Sequence, residues 1–427
     1  MPPVRELNDS PRWLPLRREV PIANCQTPEA LQSDGSTPIP LYLHLPPGLF
    51  YGERQNLRLH LDYRYNAKPV ASGSALRLLV NGTLVNEAAL PPGAGLSDRK
   101  RLIFVPVANM RAFGNTLLFN FDFTVPSREA AQESTSEALR GDILCTSTID
   151  LQGLSLWTRM PNLELFANAG FPFTQFADLS QTTVILPEIP TPEEISLYLH
   201  LMSYFGTQTG YPVLRVTVAA PNAVISKARD YLILGNIANQ PAFNSLDPLL
   251  PVTFDANGIH VKPLQRYASF LSAIKSASVT WWEKLFGYVR TQDSPSIAGW
   301  APDAMVEEIE SPISPERSIV LIALKDTSSA VSFESVFLDR SQSGEIANSV
   351  SLLRNSKFTS YAMDRNIYHV GDISWLARMR IWLTQYFVLL LLVVTALSFL
   401  VARWLREELA RHAQERLKLV ESASVSR

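Results

Sequence analysis

The sequence predicts a multidomain protein: an antiparallel β-sandwich, then an α/β domain, then one C-terminal transmembrane helix. Three observations carry this. Between residues 40 and 150, short runs alternate apolar and polar side chains and are separated by turn residues, as half-buried antiparallel strands are. Between residues 183 and 338, continuous apolar runs alternate with helical spacing, the pattern of strands buried on both faces of a mostly parallel sheet. Residues 381–401 carry no formal charge, and a helix of about 20 residues crosses a hydrocarbon core of ~30 Å.

Residues 1–38 show no sustained period, and Ser10-Pro11-Arg12-Trp13-Leu14-Pro15 reads as extended linker, because proline pushes the preceding residue out of the helical region. The strands then follow in order. Leu41-Tyr42-Leu43-His44-Leu45 alternates, as does the run from Leu57 to Tyr65. Leu76-Arg77-Leu78-Leu79-Val80 meets Asn81-Gly82 and then Thr83-Leu84-Val85-Asn86, a strong short-range hairpin signal. Further strands are expected at 102–105 and 116–123. The aromatics Tyr42, Tyr63, Tyr65, Phe119, Phe121 and Phe123 fall at alternating positions, which places them in the core. Residues 127–141 are polar and read as an exposed loop or a short surface helix.

In the second unit Thr183-Val184-Ile185-Leu186 is an apolar run closed by Pro187. Pro192-Glu193-Glu194 opens a helix with acids in its first turn, where they favour the helix dipole, and Gly206 is expected to stop it after Phe205. Strands are expected at 214–218, 231–235 and 318–324, and a helix at 329–338. Residues 265–290, with Trp281 and Trp282, read as helical.

The apolar stretch is flanked by Trp375 and Trp382 on one side and Trp404 on the other, with Tyr386 near its start; aromatics of this kind sit at membrane interfaces. Arg403, Arg406, Arg411, Arg416 and Lys418 follow it, against Arg365, Arg378 and Arg380 before it. That bias places the C-terminal tail in the cytoplasm and the bulk outside. Residues 373–380 read either as an interfacial helix or as the first turns of the spanning one. Met1-Pro2-Pro3-Val4-Arg5-Glu6 lacks the apolar core of a secretory signal, so either insertion takes another route or this chain is a piece of a longer one.

The chemistry is sparse. A net charge of −2 without a basic stripe outside the membrane flanks excludes a nucleic-acid binder. Cys25 and Cys145 suit one disulfide in an oxidising compartment or two buried thiols. Gly206-Thr207-Gln208-Thr209-Gly210 lacks the Lys-Ser/Thr of a phosphate loop and reads as a turn. Asp230, at the start of an apolar run, reads as an edge residue. Hydrolase and metal motifs are missing, and the six histidines show no ligand spacing. No catalytic, cofactor-binding or metal site is expected. Arg54 and Arg58 supply half of a cyclic-dinucleotide pattern, and Asp178-Leu179-Ser180 half of the other part, with Thr183 where glycine is needed. The residues therefore do not support cyclic-di-GMP as a ligand.

The stretch between the units is more specific. Arg159-Met160-Pro161-Asn162-Leu163-Glu164-Leu165-Phe166-Ala167-Asn168-Ala169-Gly170-Phe171-Pro172-Phe173-Thr174, followed by Ala177-Asp178-Leu179-Ser180, resembles the membrane-anchored periplasmic B subunits of bacterial cellulose synthase. Ser10 to Pro15 (with Arg12 and Trp13), Ser147-Thr148-Ile149-Asp150 and Thr209-Gly210-Tyr211-Pro212 fit the same resemblance. It implies a jelly-roll carbohydrate-binding-like sandwich at 39–155 after the linker, a bridging segment at 156–182 and a flavodoxin-like domain at 183–371. An interfacial helix at 372–380, a spanning helix at 381–401 and a tail at 402–427 complete it. It also implies a non-catalytic subunit of the inner membrane whose partners are the catalytic A subunit, which polymerises glucose from UDP-glucose, the nascent β-1,4-glucan and lipid. The family carries the name cyclic-di-GMP-binding protein. Under the same resemblance, this chain looks like the second of the family's two repeats plus the anchor.

Overall fold

The computed structural model describes residues 11–22, 31–50, 55–68, 70–93, 95–112, 114–124, 139–221, 228–255, 258–262, 301–339, 344–363, 367–385 and 387–425, with backbone alone for 381–385, 387–390, 392, 393 and 414–425. The expected helix at 265–290 and nearly all of the polar segment at 127–141 lie outside the described residues. Two compact units result, 1–371 and 372–427.

The sandwich is built from β1 (Val20–Pro21), β2 (Gln32–Ser33), β3 (Ile39–His44), β4 (Asn56–Asn66), β5 (Ala75–Val80), β6 (Thr83–Ala89), β7 (Leu96–Pro106), β8 (Gly114–Asp122), β9 (Gly141–Ile143) and β10 (Thr148–Asp150). One sheet has the order β3-β8-β5-β6. In the other, long β4 pairs with β7 along one edge and shares its second edge between β10 and β9, which β1 and β2 extend. Alternation decides the faces: Leu57, Leu59, Leu61, Tyr63 and Tyr65 point inward against Leu78, Val80, Leu117, Phe119 and Phe121, all nearly inaccessible. Tyr42 corrects the expected core, being 70 % exposed; it pairs with Thr116 on β8, and its neighbours Leu41 and Leu43 supply the inward contacts. Asn81 (φ 49°) and Gly82 (φ 86°) make the β5–β6 turn, the left-handed pair that a tight hairpin needs. The Asn81 amide also donates to Asn109 O and Asn115 Oδ1, each at 2.9 Å.

β11 (Leu156–Met160) and α1 (Leu163–Ala169) lead into the α/β layer. It contains β12 (Thr182–Ile185), α2 (Pro192–Thr209), β13 (Thr217–Ala219), β14 (Asp230–Asn236), α3 (Ala242–Leu246), β15 (Val252–Asp255), β16 (Gly258–Val261), β17 (Ala304–Glu310), β18 (Ser318–Leu324), α4 (Thr327–Leu338), β19 (Val350–Arg354), β20 (Lys357–Tyr361) and β21 (Tyr368–Asp372). The main sheet has the order β13-β12-β14-β18-β17-β19-β20. Only β13, β12, β14 and β18 are parallel, and β17, β19 and β20 run antiparallel, so the sheet is mixed rather than mostly parallel. β15 and β16 form a separate hairpin, and β21 pairs with β11. α2 and α4 cover one face through Leu197, Leu201, Phe205, Phe333 and Phe337.

Two boundaries differ from expectation. α2 continues through Gly206 to Thr209 and ends at Gly210 in the left-handed region, φ 69°. Gly206 is tolerated because a Cβ there would meet Tyr211 O at 3.3 Å; the chain folds back over it. The strand expected at 214–218 is instead Thr217–Ala219, since the Arg215 N–H donates to Asp178 O at 3.0 Å.

In the second unit, α5 (Trp375–Gln385) is followed by α6 (Phe387–Val425). Leu391, Val394, Leu397, Phe399, Leu400 and Val401 are exposed. The Thr395 and Ser398 hydroxyls donate to Leu391 O at 2.7 Å and Val394 O at 2.8 Å, four residues back. Among the described residues no helix is long and apolar enough to cross a membrane. Most of the first half of the expected spanning segment lies outside the described side chains.

Candidate functional site

A cleft of about 700 Å³ opens where the sandwich meets β11 and α1. Leu49 bridges to Leu156, and the Phe50 N–H donates to Ser155 O at 2.9 Å. Gln55 Oε1 accepts from the Ser155 N–H at 2.9 Å. These bonds hold the loop after β3 against β11 and bring Phe50 to Trp157, ring centroids 5.4 Å apart and planes at 76°. On β21, His369 stacks parallel on Trp157 at 3.8 Å. Burial, and then the charge of Arg159, push the His369 pKa below its ordinary value, so a neutral ring backs the indole. Gly371 (φ 106°) makes this possible: a Cβ there would lie 2.5 Å from Leu156 O. Pro47 and Leu49 add apolar lining, while exposed Arg111, Arg159 and Glu164 form the rim.

Beneath the cleft lies a buried acid network. The Asn162 side chain caps α1 by accepting from the Leu165 N–H at 3.3 Å, and its own N–H donates to Glu308 Oε2 at 2.7 Å. Glu308 is inaccessible to solvent. Burial, with a smaller contribution from Asp230 and against the Asn162 hydrogen bond, pushes its carboxyl up to about 8, so it is neutral near pH 7. Asp230 accepts from Arg317 Nη1 and the Ser318 N–H, each at 2.9 Å. Burial still raises it to about 6. It is interior rather than the expected edge residue. Tyr368 Oη lies 2.6 Å from Ser318 Oγ, and its pKa is pushed well above the ordinary value, first by burial and then by Glu308.

Open α/β sheets bind ligands outside the carboxyl ends of their parallel strands. Here the protein's own side chains occupy that edge. Glu194, 1 % exposed, closes a capping box with Thr191 and accepts from the Asn236 N–H at 2.8 Å. At the start of α2 this carboxylate accepts from the Thr191 N–H at 2.8 Å, and Thr191 Oγ1 accepts from the Glu194 N–H at 3.3 Å, so part of the donor set that could hold an anion there is taken. Gln240 Nε2 donates to Leu234 O at 2.9 Å and Ile185 O at 3.4 Å, spanning β14 and β12.

The residues singled out by resemblance fall in three places. Arg12, Thr209 and Gly210 meet: the Arg12 N–H donates to Thr209 O at 3.1 Å and its Nη1 to Thr207 O at 2.6 Å. That caps the carbonyl end of α2 with a cation. Trp13 beside them is buried. Asn162 lines the cleft, and Pro161 before it follows a cis bond. Phe171, joined by a cis bond to Pro172, packs inside with Met160, Leu165, Tyr368 and Val370. Asp178 is buried and accepts from the Ser180 N–H at 3.0 Å. Trp375 and Trp404 are 69 % and 62 % exposed in the second unit, whereas the Trp382 side chain and Tyr386 lie outside the described residues. Phe50, Trp157, His369 and Glu308 were not singled out by sequence; Trp157 adjoins the matching stretch, and Glu307-Glu308 interrupts an apolar run. Cys145 is disulfide-bonded, and Cys25 is the chain's other cysteine.

This is a β-rich, multidomain protein in which a sandwich abuts a mixed α/β layer along a ring-lined cleft. Residues 22–148 match the family model "Cellulose synthase BcsB, second CBM domain", and residues 156–322 match "Cellulose synthase BcsB, second FD domain". The chain belongs to the BcsB family of cellulose synthase subunits. It is 31 % identical to the cyclic di-GMP-binding protein of Xanthomonas axonopodis pv. citri, over 97 % of this chain and 54 % of that protein. It is 28 % identical to the Salmonella typhi protein of the same name, over 96 % and 54 %. Against cellulose synthase 1 of Komagataeibacter xylinus identity is 26 %, over 98 % of this chain and 28 % of that protein. The chain spans about half the length of the first two relatives. A family 35 carbohydrate-binding module is similar at a TM-score of 0.16 and 8 % identity, over 27 % of this chain and 71 % of that one, too remote to carry an argument.

Proposed function

We propose that this chain is a non-catalytic, membrane-anchored periplasmic subunit of a cellulose synthase complex. In this reading it supports the catalytic subunit that polymerises glucose from UDP-glucose, and it guides the emerging β-1,4-glucan. The observation that carries the proposal is the paired match of both described domains to one cellulose synthase family. The domain limits are those given by resemblance, with a sandwich at 39–155 and a flavodoxin-like domain at 183–371. The parallel order β13-β12-β14-β18 supports the latter description. The anchor is 381–401, with 372–380 at the interface and Trp375, Trp382, Tyr386 and Trp404 as boundary aromatics. Support comes from the uncharged sequence, from the exposed apolar side chains of α6, and from Thr395 and Ser398 turning their hydroxyls onto the helix backbone, as apolar surroundings require. The disulfide at Cys145 favours an oxidising compartment such as the periplasm, which leaves the tail at 402–427 cytoplasmic.

The decisive experiment is co-purification in detergent with the catalytic subunit, followed by glucan synthesis from UDP-glucose in vesicles. An active pair is expected. Exchange of residues 373–401 for an unrelated spanning helix should abolish association, and full activity of that chimera would remove the docking role. A second reading, direct binding of cyclic-di-GMP, is favoured by the relatives' name. Calorimetry on the full chain in detergent separates the two, and no heat of binding is expected.

A further inference from the structure

We propose that the cleft at the sandwich–α/β junction is a binding subsite for a β-linked glucose chain, with Trp157 and Phe50 as its ring walls and Arg111, Arg159 and Glu164 as its hydroxyl-binding rim. This rests on the reading that the chain handles glucan, and it assigns the contact residues. A β-linked glucose unit presents flat C–H faces and a belt of hydroxyls. The two rings, 5.4 Å apart and nearly perpendicular, form a corner that takes the apolar faces. The charged rim suits the hydroxyl belt, because hydrogen bonds to charged groups are the stronger ones. The rim carries both signs, two arginines against one glutamate, which fits a neutral polyhydroxyl ligand rather than a phosphate or a nucleotide. Its volume of about 700 Å³ is within the usual range of ligand sites, roughly 300–1,000 Å³. His369 behind Trp157 fixes the indole before any ligand arrives, and a wall fixed in advance lowers the ordering cost of binding.

The test titrates the full chain in detergent with cellohexaose, and with maltohexaose as the α-linked control, by calorimetry and saturation-transfer NMR. Trp157→Ala is expected to weaken cellohexaose at least about tenfold. That substitution also removes the partner of His369, so Phe50→Ala is measured beside it, with circular dichroism melting to verify folding. Phe50→Ala should weaken binding in the same direction, whereas Tyr42→Ala, an exposed side chain outside the cleft lining, should leave it unchanged. Binding that survives both ring substitutions overturns the cleft and leaves the glucan reading standing. Equal affinity for maltohexaose overturns the β-linked class. Absence of cellohexaose binding, with synthesis still supported in vesicles, overturns the cleft alone. Absence of both overturns the functional reading as well.

Discussion

Glu308 shows how far one side chain departs from its ordinary chemistry in this fold. Burial pushes its carboxyl up to about 8 in the folded chain, from the ordinary 4.5 that it has when the chain is unfolded. Between those values the folded state holds the extra proton, so stability is full below pH 4.5 and is lost as pH rises toward 8, by at most about 1.4 kcal/mol per unit. Asp230, raised from 3.8 to about 6, works in the same direction over the lower part of that window. Glu308→Gln keeps an acceptor for the Asn162 N–H and has no proton to lose. Its melting temperature should match the parent near pH 5 and exceed it at pH 8; parallel profiles from pH 5 to 9 would show that Glu308 is ionised throughout. Glu308→Ala leaves that N–H unpaired and should cost about 1–3 kcal/mol at neutral pH. The sequence carried a hint here, two adjacent acids inside an apolar run, but adjacent acids ordinarily mark a solvated turn. What reverses that meaning is β18 on one side and β19 on the other, which a linear pattern does not display.

Among elements, the sandwich strands and the Asn81-Gly82 hairpin were legible because period two and left-handed turn residues are local properties. The sheet's direction was less so. Glu307 and Glu308 hid β17, and without it β18 looks like one more parallel strand. Residues 311–317 between them are too few for a crossover, which takes about a dozen, so antiparallel pairing follows once β17 is recognised. The β19–β20 turn likewise uses Asn355 (φ 49°) and Ser356 (φ 58°), a pair without glycine that gives no hairpin signal. At Gly371 one residue sets how two elements meet. Gly371→Ala adds a Cβ against Leu156 O with φ at 106°, and backbone cannot yield as a flexible side chain does. We expect a loss of about 2 kcal/mol or more, read by thermal unfolding, with altered tryptophan fluorescence as His369 leaves Trp157. An unchanged melt would show that β11 and β21 separate at little cost.

For the whole molecule, the two-domain plan could be read directly, because a change of period from two to buried runs survives any error in strand limits. The junction could not. Phe50, Trp157 and His369 are up to 319 positions apart in the chain, and only the pairing of β11 with β21 brings the last two together. Of the residues marked by resemblance, Asn162 lines the cleft, and the rings were not marked. At this scale the anchor exchange and the cellohexaose titration test different things, namely where the protein is held and what it holds.

Glu194 fills the place that an α/β sheet of this kind ordinarily leaves for a guest. A receptor that works by ligand-driven closure needs a vacant state and an occupied state of different shape. A crevice that already holds the chain's own carboxylate, bonded to the Thr191 and Asn236 N–H groups, is in the occupied form without a guest. That carboxylate ties the start of α2 to the end of β14, a fixed link between a helix and the sheet it covers.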